Sequence, residues 1–504
     1  MSEPLAVPTY AELAARVQVQ DQVIAELRCV VEELRAEVAA LRRQVGRDSA
    51  NSSRPPSQDG PGAKAKAKAD KRSGRSGQGP KRAQGGQKGH RGAGLARVAD
   101  PDKTVALEPS ACGGCGADLA GAPGRVGTSV QVFDLPTFRL QVTEYHVMRR
   151  VCGCGQATTA DLPPGVRGGP TCYGPNVTAA TTLLASTDVI GVERAADLMS
   201  ALLGADVSTG FVSSCLVRLD DALTAAGFEN ALKDGLRAAD VLGTDETPAP
   251  LTREATRAEG CHNPHVYTVR TMGAYTGGGA DLVWYGAAGD RTKASISAFK
   301  ILDGFRGVLV RDDYGGYISY DQFLAAVQQC VAHLLRYLHD VHAIDPTAQV
   351  WAVQVGDALR EAIGAVNTAR AAGKDSVHPR LLARLRRAYD TGVVVGISTN
   401  TSRPWHKGNH PGLQLARRLQ RKADQIWVFA TRFDVPATNN GSESAIRGYK
   451  IAAKISGCWR TLATLRRHCR IRSYLVTAHN HGHRALDAIT NALTGTCWTP
   501  PALA

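Results

Sequence analysis

Hydrophobic positions are most regular in residues 10–46, where Leu13, Val17, Gln20, Ile24, Leu27, Val31, Leu34, Val38, Leu41 and Val45 recur in alternating steps of four and three. That spacing draws one stripe along a helix. β-Branched residues fill one set of core positions (Val17, Ile24, Val31, Val38, Val45), and leucine, interrupted by Gln20, fills the other. The combination predicts a parallel two-stranded coiled coil whose polar Gln20 fixes register. An amphipathic helix packed on its own domain is the plainer alternative. The pattern stops after Gly46. Residues 47–98 run through NSSRPPSQDGPG into a Gly/Lys/Arg-rich stretch with too few apolar groups to offset the entropy of ordering, so they read as a disordered basic linker.

Residues 99–170 carry strand-like segments, VQVFDLP and RLQVTEYHVM, around close cysteine pairs and read as a small β module. Residues 171–236 are helical in pattern. Within them ERAADLMSALLGADVSTGFVSSCLVRL predicts a helix, a turn centred on Gly204, and a second helix capped by Ser208. That is helix-turn-helix-like and suits a DNA-binding region, although two helices packed without DNA give the same pattern. From 237 the signal becomes α/β. ADVLGTDETPAP predicts a short apolar strand ending in Asp245 and Glu246, and HVYTVRT and ADLVWYGAA predict two more in an antiparallel meander. KASISAFKIL is helix-like, and GVLVRDDYGGY predicts a strand ending in Asp312 and Asp313. A mainly helical region follows from about 320 to 435, within a span of 237–485, and a tail of 486–504 ends the chain. The expected fold class is multidomain α+β and α/β.

Charge sharpens this picture. Of the formal net charge of +14, the stretch Lys64–Arg97 supplies +10, from eleven Lys/Arg against Asp70 alone. A solvated cationic segment of this kind meets polyanions, nucleic acid first, with Lys81, Arg82, Lys88 and Arg91 among the candidate contacts. A merely solubilising linker is the bland alternative. The N-terminus lacks a basic region followed by an apolar run, and no run of about 18 apolar residues occurs, so neither signal peptide nor membrane span is expected. Twelve cysteines are too sparse for a disulfide scaffold. Four sit in close pairs, Cys112-Gly-Gly-Cys115 and Cys152-Gly-Cys154, and paired thiolates on tight glycine turns predict a tetrahedral structural Zn²⁺ site. The second pair is one residue shorter than the usual spacing, and four unmetallated cysteines are the alternative.

Carboxylates at strand ends, followed late in the chain by a helical glutamate, are what a two-metal phosphoryl-transfer site requires. Glu443 lies in NNGSESAIRGYKIAAK. At helical spacing Arg447, Lys450 and Lys454 fall at about +40°, −20° and +20° from it, while Ile446, Tyr449 and Ala453 lie beside that stripe and can pack inward. A solvated Glu443–Arg447 pair would look the same. The functional reading puts a metal-binding carboxylate beside cations able to hold DNA phosphates, with Ser442 or one of the two asparagines capping the helix.

Taken in order, the coiled coil, NSSRPPSQDG, QGGQKGHRG, the cysteine pairs, YGPNV, TDET, DDYGGY, CVAH and NNGSESAIRGYKIAAKISGCWR resemble the insertion-sequence-66 family of bacterial transposases, over about residues 12–485. The resemblance implies a ribonuclease-H-like catalytic core over 237–485, with a helical insertion at about 335–430 and an Asp-Asp-Glu triad that cuts element ends and joins them to target DNA. Carried over by motif, the triad is Asp245 in TDET, Asp312 in Asp312-Asp313-Tyr314, and Glu443 after Asn439-Asn440. Where many members have Asp-Asn-Asn, this chain has Thr438-Asn439-Asn440, and Asp313 stands where the family often has glycine. The implied cofactors are two Mg²⁺ (or Mn²⁺) ions at the triad. The implied partners are DNA, a second copy of the chain through the coiled coil, and accessory transposition proteins, in the bacterial cytoplasm at the nucleoid. A silent DNA-binding relative and a structure-selective nuclease of the same fold are the alternatives. Cys330 and His333 of CVAH and Cys261, His262 and His265 of CHNPH offer a second metal site, against which ordinary thiol and ring packing is the commoner outcome, with His333 and Arg336 near the DNA as a further alternative.

Overall fold

In the computed structural model, alternation along three consecutive segments builds an antiparallel half-sheet: β1 (Val241–Pro248), β2 (His265–Thr271) and β3 (Val283–Ala288). Two shorter strands, β4 (Val308–Arg311) and β5 (Ala326–Gln329), extend it in parallel on the other side of β1, giving the order β3-β2-β1-β4-β5. The structure describes residues 18–24, 26–28, 30–33, 96–135, 139–187, 189–277, 279–405 and 408–501. The chain divides into two units, 60–140 and 1–59 with 141–504, and the sheet belongs to the second.

Each face of the sheet follows from strand parity. Tyr267, Val269, Trp284 and Leu309 bury themselves against α3 (Thr209–Ala225) and α4 (Phe228–Ala238) through Leu219, Leu223, Phe228 and Leu232. α3 follows α1 (Pro175–Ser186) and α2 (Val192–Leu203). Gly204 ends α2 at φ 61°, and the Ser208 hydroxyl accepts the Phe211 N–H at 3.1 Å to start α3. The opposite residues, Val266, Val283, Tyr285 and Ala287, meet two late helices, α9 (Asn440–Ser456) and α10 (Leu462–Asn480), through Ile446, Tyr449, Leu465 and Cys469. α10 also covers the free edge of β3: the hydroxyls of Ser473 and Thr477 accept the N–H groups of Tyr285 (2.8 Å) and Val283 (3.2 Å). An edge finished this way offers no template for another strand.

Between β5 and α9 runs a helical stretch, α5 (Val331–Ile344), α6 (Val350–Ala371), α7 (Pro379–Thr401) and α8 (Pro411–Arg421), with a core of its own around Trp351, Val355, Leu359, Tyr389, Leu419 and Trp427. It is tied to β5 by polar side chains. Gln328 donates to the Ile426 carbonyl (3.0 Å) and accepts the Phe429 N–H (2.8 Å), and Gln329 donates to Gln425 (3.0 Å).

Several expectations change. β1 does not end at Asp245 and Glu246 but continues to Pro248, because both residues still pair with β2. Among the described residues of 130–148, none pairs into a ladder; a hairpin of Arg149–Val151 with Ala157–Thr159 follows them. Their apolar alternation is real, but Val130, Val132 and Val142 stay more than 75% exposed, so no buried face fixes a register. β5 was hidden by its polar composition, AVQQ. In the coiled-coil segment, 18–24, 26–28 and 30–33 are helical with Ile24, Leu27 and Val31 exposed, and Glu32 reaches Arg403 at 3.4 Å. The rest of that segment lies outside the described residues, as do linker residues through 95, Lys81, Arg82, Lys88 and Arg91 included. Among the described residues no helix is long and apolar enough to cross a membrane.

Candidate active site

The parallel pairing of β1 with β4 sets two acids level. Val241 pairs with Val308 and Gly243 with Val310, so the same offset carried two residues further brings Asp245 alongside Asp312, immediately after Arg311. Neighbouring strands lie about 4.8 Å apart, which puts the two acids on adjacent rails. Strand parity sends the next residue the other way. Asp313 forms ion pairs with Lys422 and with Arg418 (3.4 Å), holding the end of α8, whereas the Asp312 carboxylate accepts the Tyr314 N–H at 2.9 Å.

Glu246 has a different fate from its neighbour. Its carboxylate is 3% exposed, paired with Arg291 and bonded by the Tyr317 hydroxyl at 2.7 Å, and Tyr317 in turn meets Thr244 at 3.2 Å. Arg291 lies 3.5 Å over the Tyr314 ring. Asp245 has no such counter-ion bonded to it. Burial, then the charges of Glu246 and Glu443, push its carboxyl up to about 7, against the pull of Lys450.

Glu443 sits in the first turn of α9, and the loop before that helix is stitched into place. The Asn439 side-chain amide donates to the Thr244 carbonyl (2.6 Å), one residue before Asp245, and the Asn439 N–H donates to Cys330 Sγ (3.2 Å). The expected side-chain cap is absent: Asn439 occupies the cap position without capping, and the buried Ser442 hydroxyl has no partner. The Asn439 side-chain amide N–H is turned to β1, and its Oδ1, the atom that would cap the helix, is left buried without a partner. Gly243 permits the close approach, since a Cβ there would collide with Met272 and with the side chains of Ser442 and Asn439.

Glu443 Oε1 also lies 3.6 Å from His333 Nδ1 and 4.0 Å from Cys330 Sγ. Among the described residues, Cys330, His333 and Glu443 are the one set of three or more His, Cys, Asp or Glu residues whose ligand atoms all fall within 4.8 Å of one another. Asp245, Asp312 and Glu443 do not gather that tightly. His333 is held below the usual histidine range, by burial first and then Arg336, while the charges of Glu443 and Asp312 oppose the shift. On α9, Arg447 is exposed and Lys450 half-buried, with Ile446 and Tyr449 packed inward; the Lys454 side chain lies outside what is described.

The cysteine pairs form turns of one design. Cys112 N–H bonds the Ala117 carbonyl and Gly116 N–H the Cys112 carbonyl, both at 2.8 Å. Cys152 N–H bonds Gln156 (2.8 Å) and Gly155 N–H bonds Cys152 (2.9 Å). Gly116 and Gly155 take φ of 75° and 87°, closed to most side chains. In each turn the first thiol is held below its usual range by backbone N–H groups, of Cys115 and of Cys154 foremost. The pairs fall in different units of the chain. The other metal set considered does not form among the described residues: Cys261 is buried, and His265 Nδ1 lies 2.7 Å from the Asn263 carbonyl.

The sequence pattern offered Asn439 as a possible helix cap but not its bond to β1, nor the roles of Gly243 and of the Glu246–Arg291–Tyr317 network.

Residues 170–467 match the family model described as transposase, IS66 family, which spans more than half of the chain. Residues 6–96 match that of a family of unknown function (DUF6444). No curated protein matches the chain.

Proposed function

The chain belongs to the IS66 family of transposases, and from that premise we propose that it is a Mg²⁺-dependent DNA transposase that cuts element ends and joins their 3′-hydroxyls to target DNA. The observation that carries this reading is the β1–β4 register up to Gly243–Val310, whose offset extends to Asp245 and Asp312, with Asn439 fastening the Glu443 helix to the same strand.

The donor set fits hard divalent ions, because three carboxylates supply the oxygen ligands they prefer. Asp245, held near 7 by burial and neighbouring acids, is a group that a cation returns to its ionised form. Asp245, Asp312 and Glu443 would hold two Mg²⁺ ions, whose chemistry when bound is to activate the attacking oxygen and stabilise the leaving one. The protein's own groups do the rest. Glu246 stays neutralised by Arg291 and keeps β1 rigid. Lys450 and the exposed Arg447 lie along α9 beside Glu443, where DNA phosphates are to be gripped. The basic linker with Lys81, Arg82, Lys88 and Arg91 adds affinity that falls as salt rises. The coiled coil brings two protomers, and so two element ends, together. The first thiols of the Cys112–Cys115 and Cys152–Cys154 turns are lowered, which suits thiolate ligation of a structural Zn²⁺.

The test is cleavage of labelled element-end DNA by the purified chain. Asp245→Ala and Glu443→Ala should each abolish Mg²⁺-dependent cutting while DNA binding persists. Cutting by either variant would overturn the proposal, and cutting without joined products would reduce it to a nuclease.

A further inference from the structure

Cys330 takes the cap position of α5 and His333 follows three residues later in its first turn, so both side chains lie on one face of that helix. Glu443 occupies the first turn of α9 and points its Oε1 at the pair. From this arrangement we propose that Cys330, His333 and Glu443 form a binding site for a soft divalent cation, Zn²⁺ in the first instance, which draws Glu443 away from Asp245 and Asp312.

The distances support a site that is almost formed. Tetrahedral zinc with its usual bond lengths sets sulfur and oxygen ligands about 3.5 Å apart, and nitrogen and oxygen ligands about 3.3 Å apart. Here the separations are 4.0 Å for Cys330 Sγ to Glu443 Oε1 and 3.6 Å for His333 Nδ1 to the same oxygen. Cys330 Sγ and His333 Nδ1 lie within 4.8 Å of each other, so side-chain movements on the order of 1 Å close the set and leave the fourth position to water, as in zinc sites with three protein ligands.

Two further observations point to a ligand. His333 Nδ1 is buried and makes no hydrogen bond, and leaving a buried nitrogen unsatisfied is unfavourable. Cys330 Sγ already accepts the Asn439 N–H at 3.2 Å, a bond that orients the sulfur and strengthens when it becomes a thiolate. Ordinary packing of a thiol against a ring would account for Cys330 but leaves the imidazole nitrogen facing a carboxylate beyond bonding reach. Mixed sulfur, nitrogen and oxygen donors favour zinc over magnesium. On binding, the Cys330 thiol releases its proton to solvent and neutral His333 offers its Nδ1 lone pair, so Nε2 carries the ring proton.

The consequence for catalysis rests on the transposase reading: with Oε1 engaged, Glu443 no longer completes the Mg²⁺ set, and Zn²⁺ inhibits cutting. The site itself does not depend on that reading, so its test uses metal binding alone. The full chain is titrated with Co²⁺, which reports thiolate ligation by a near-ultraviolet charge-transfer band and tetrahedral geometry by visible bands. Bands from Cys112, Cys115, Cys152 and Cys154 are common to every variant and cancel in the difference. His333→Ala should weaken one Co²⁺ equivalent about tenfold or more, and Cys330→Ser should remove its charge-transfer component. Identical titrations for His333→Ala and the unsubstituted chain would overturn the site. Cys330 is buried, so if Cys330→Ser fails to fold, the half-exposed His333 decides the question. An unchanged titration alongside cutting that needs Asp245 overturns this site alone. A weakened Co²⁺ equivalent in a chain that cuts no DNA upholds the site and overturns the transposase reading.

Discussion

Acidic residues occur in both the five-stranded sheet and the helical run of 331–431, yet they are placed by different means and meet different fates. In the sheet, strand parity and register set the pattern: the β1–β4 pairing of Gly243 with Val310 leads on to Asp245 and Asp312, Glu246 is locked to Arg291, and Asp313 turns away to Lys422. In the helices, acids stand on solvated faces beside arginines, as with Asp357 and Arg360 (2.7 Å) or Asp390 and Arg386 (3.1 Å). Such exposed pairs contribute less than about 1 kcal/mol each. The lesson is that burial without a bonded counter-ion, not acidity, sets Asp245 apart from a surface carboxylate. Only Asp245 in this comparison is pushed up to about 7.

The largest expected effect breaks the comparison at the residue level. Asp245→Ala should lower DNA cutting at least about a thousandfold, the equivalent of roughly 4 kcal/mol of transition-state stabilisation. Asp390→Ala should leave the rate within about twofold in the same labelled-DNA assay.

Next in size is the joint between β1 and α9. Gly243→Ala places a methyl group against Met272, Ser442 and Asn439 and should destabilise the chain by about 1–3 kcal/mol, read by denaturant unfolding. Cutting should fall with it, since the displaced helix carries Glu443. A chain of unchanged stability and activity would show that this contact is slack.

A pH effect of the order of 2 kcal/mol belongs to the helical run. His410 accepts the Gly412 N–H on Nδ1 (3.0 Å) at the start of α8, and burial, helped by Arg403, lowers its pKa from 6.5 to about 4. Because the folded value lies below the unfolded one, the unfolded chain takes up the proton first. The stability present above pH 6.5 is therefore lost as pH falls towards 4. His410→Asn should flatten that part of the stability profile, whereas an unchanged slope between those pH values would assign it to other groups.

The smallest effect is a gain. Gly364 lies inside α6, exposed, with nothing near the position a Cβ would take. Gly364→Ala should raise stability by about 0.5–1 kcal/mol without altering cutting, the opposite sign to Gly243→Ala.

The sheet was legible where apolar alternation is strong. HVYTVRT is β2 residue for residue, and the Gly204 turn and Ser208 cap stand where the pattern put them. β5 was not legible because Gln328 and Gln329 are buried for their hydrogen bonds to the helical run, which a hydrophobic pattern does not register. The segments of 130–148 misled in the other direction, since alternation makes a strand only where a partner and a buried face exist. The acids Asp245, Asp312 and Glu443 were named by motif. Asn439, fastening one helix to a strand some 195 residues away in the chain, could be seen only in three dimensions.

The central claim rests on Asp312, rather than Asp313, completing the pair with Asp245. The most direct measurement compares Asp312→Ala and Asp313→Ala side by side for Mg²⁺-dependent cutting of element-end DNA, with folding checked by circular dichroism. The register predicts no cutting by folded Asp312→Ala and continued cutting by Asp313→Ala, weakened at most by a looser α8. Cutting by Asp312→Ala together with its loss in folded Asp313→Ala would contradict the account.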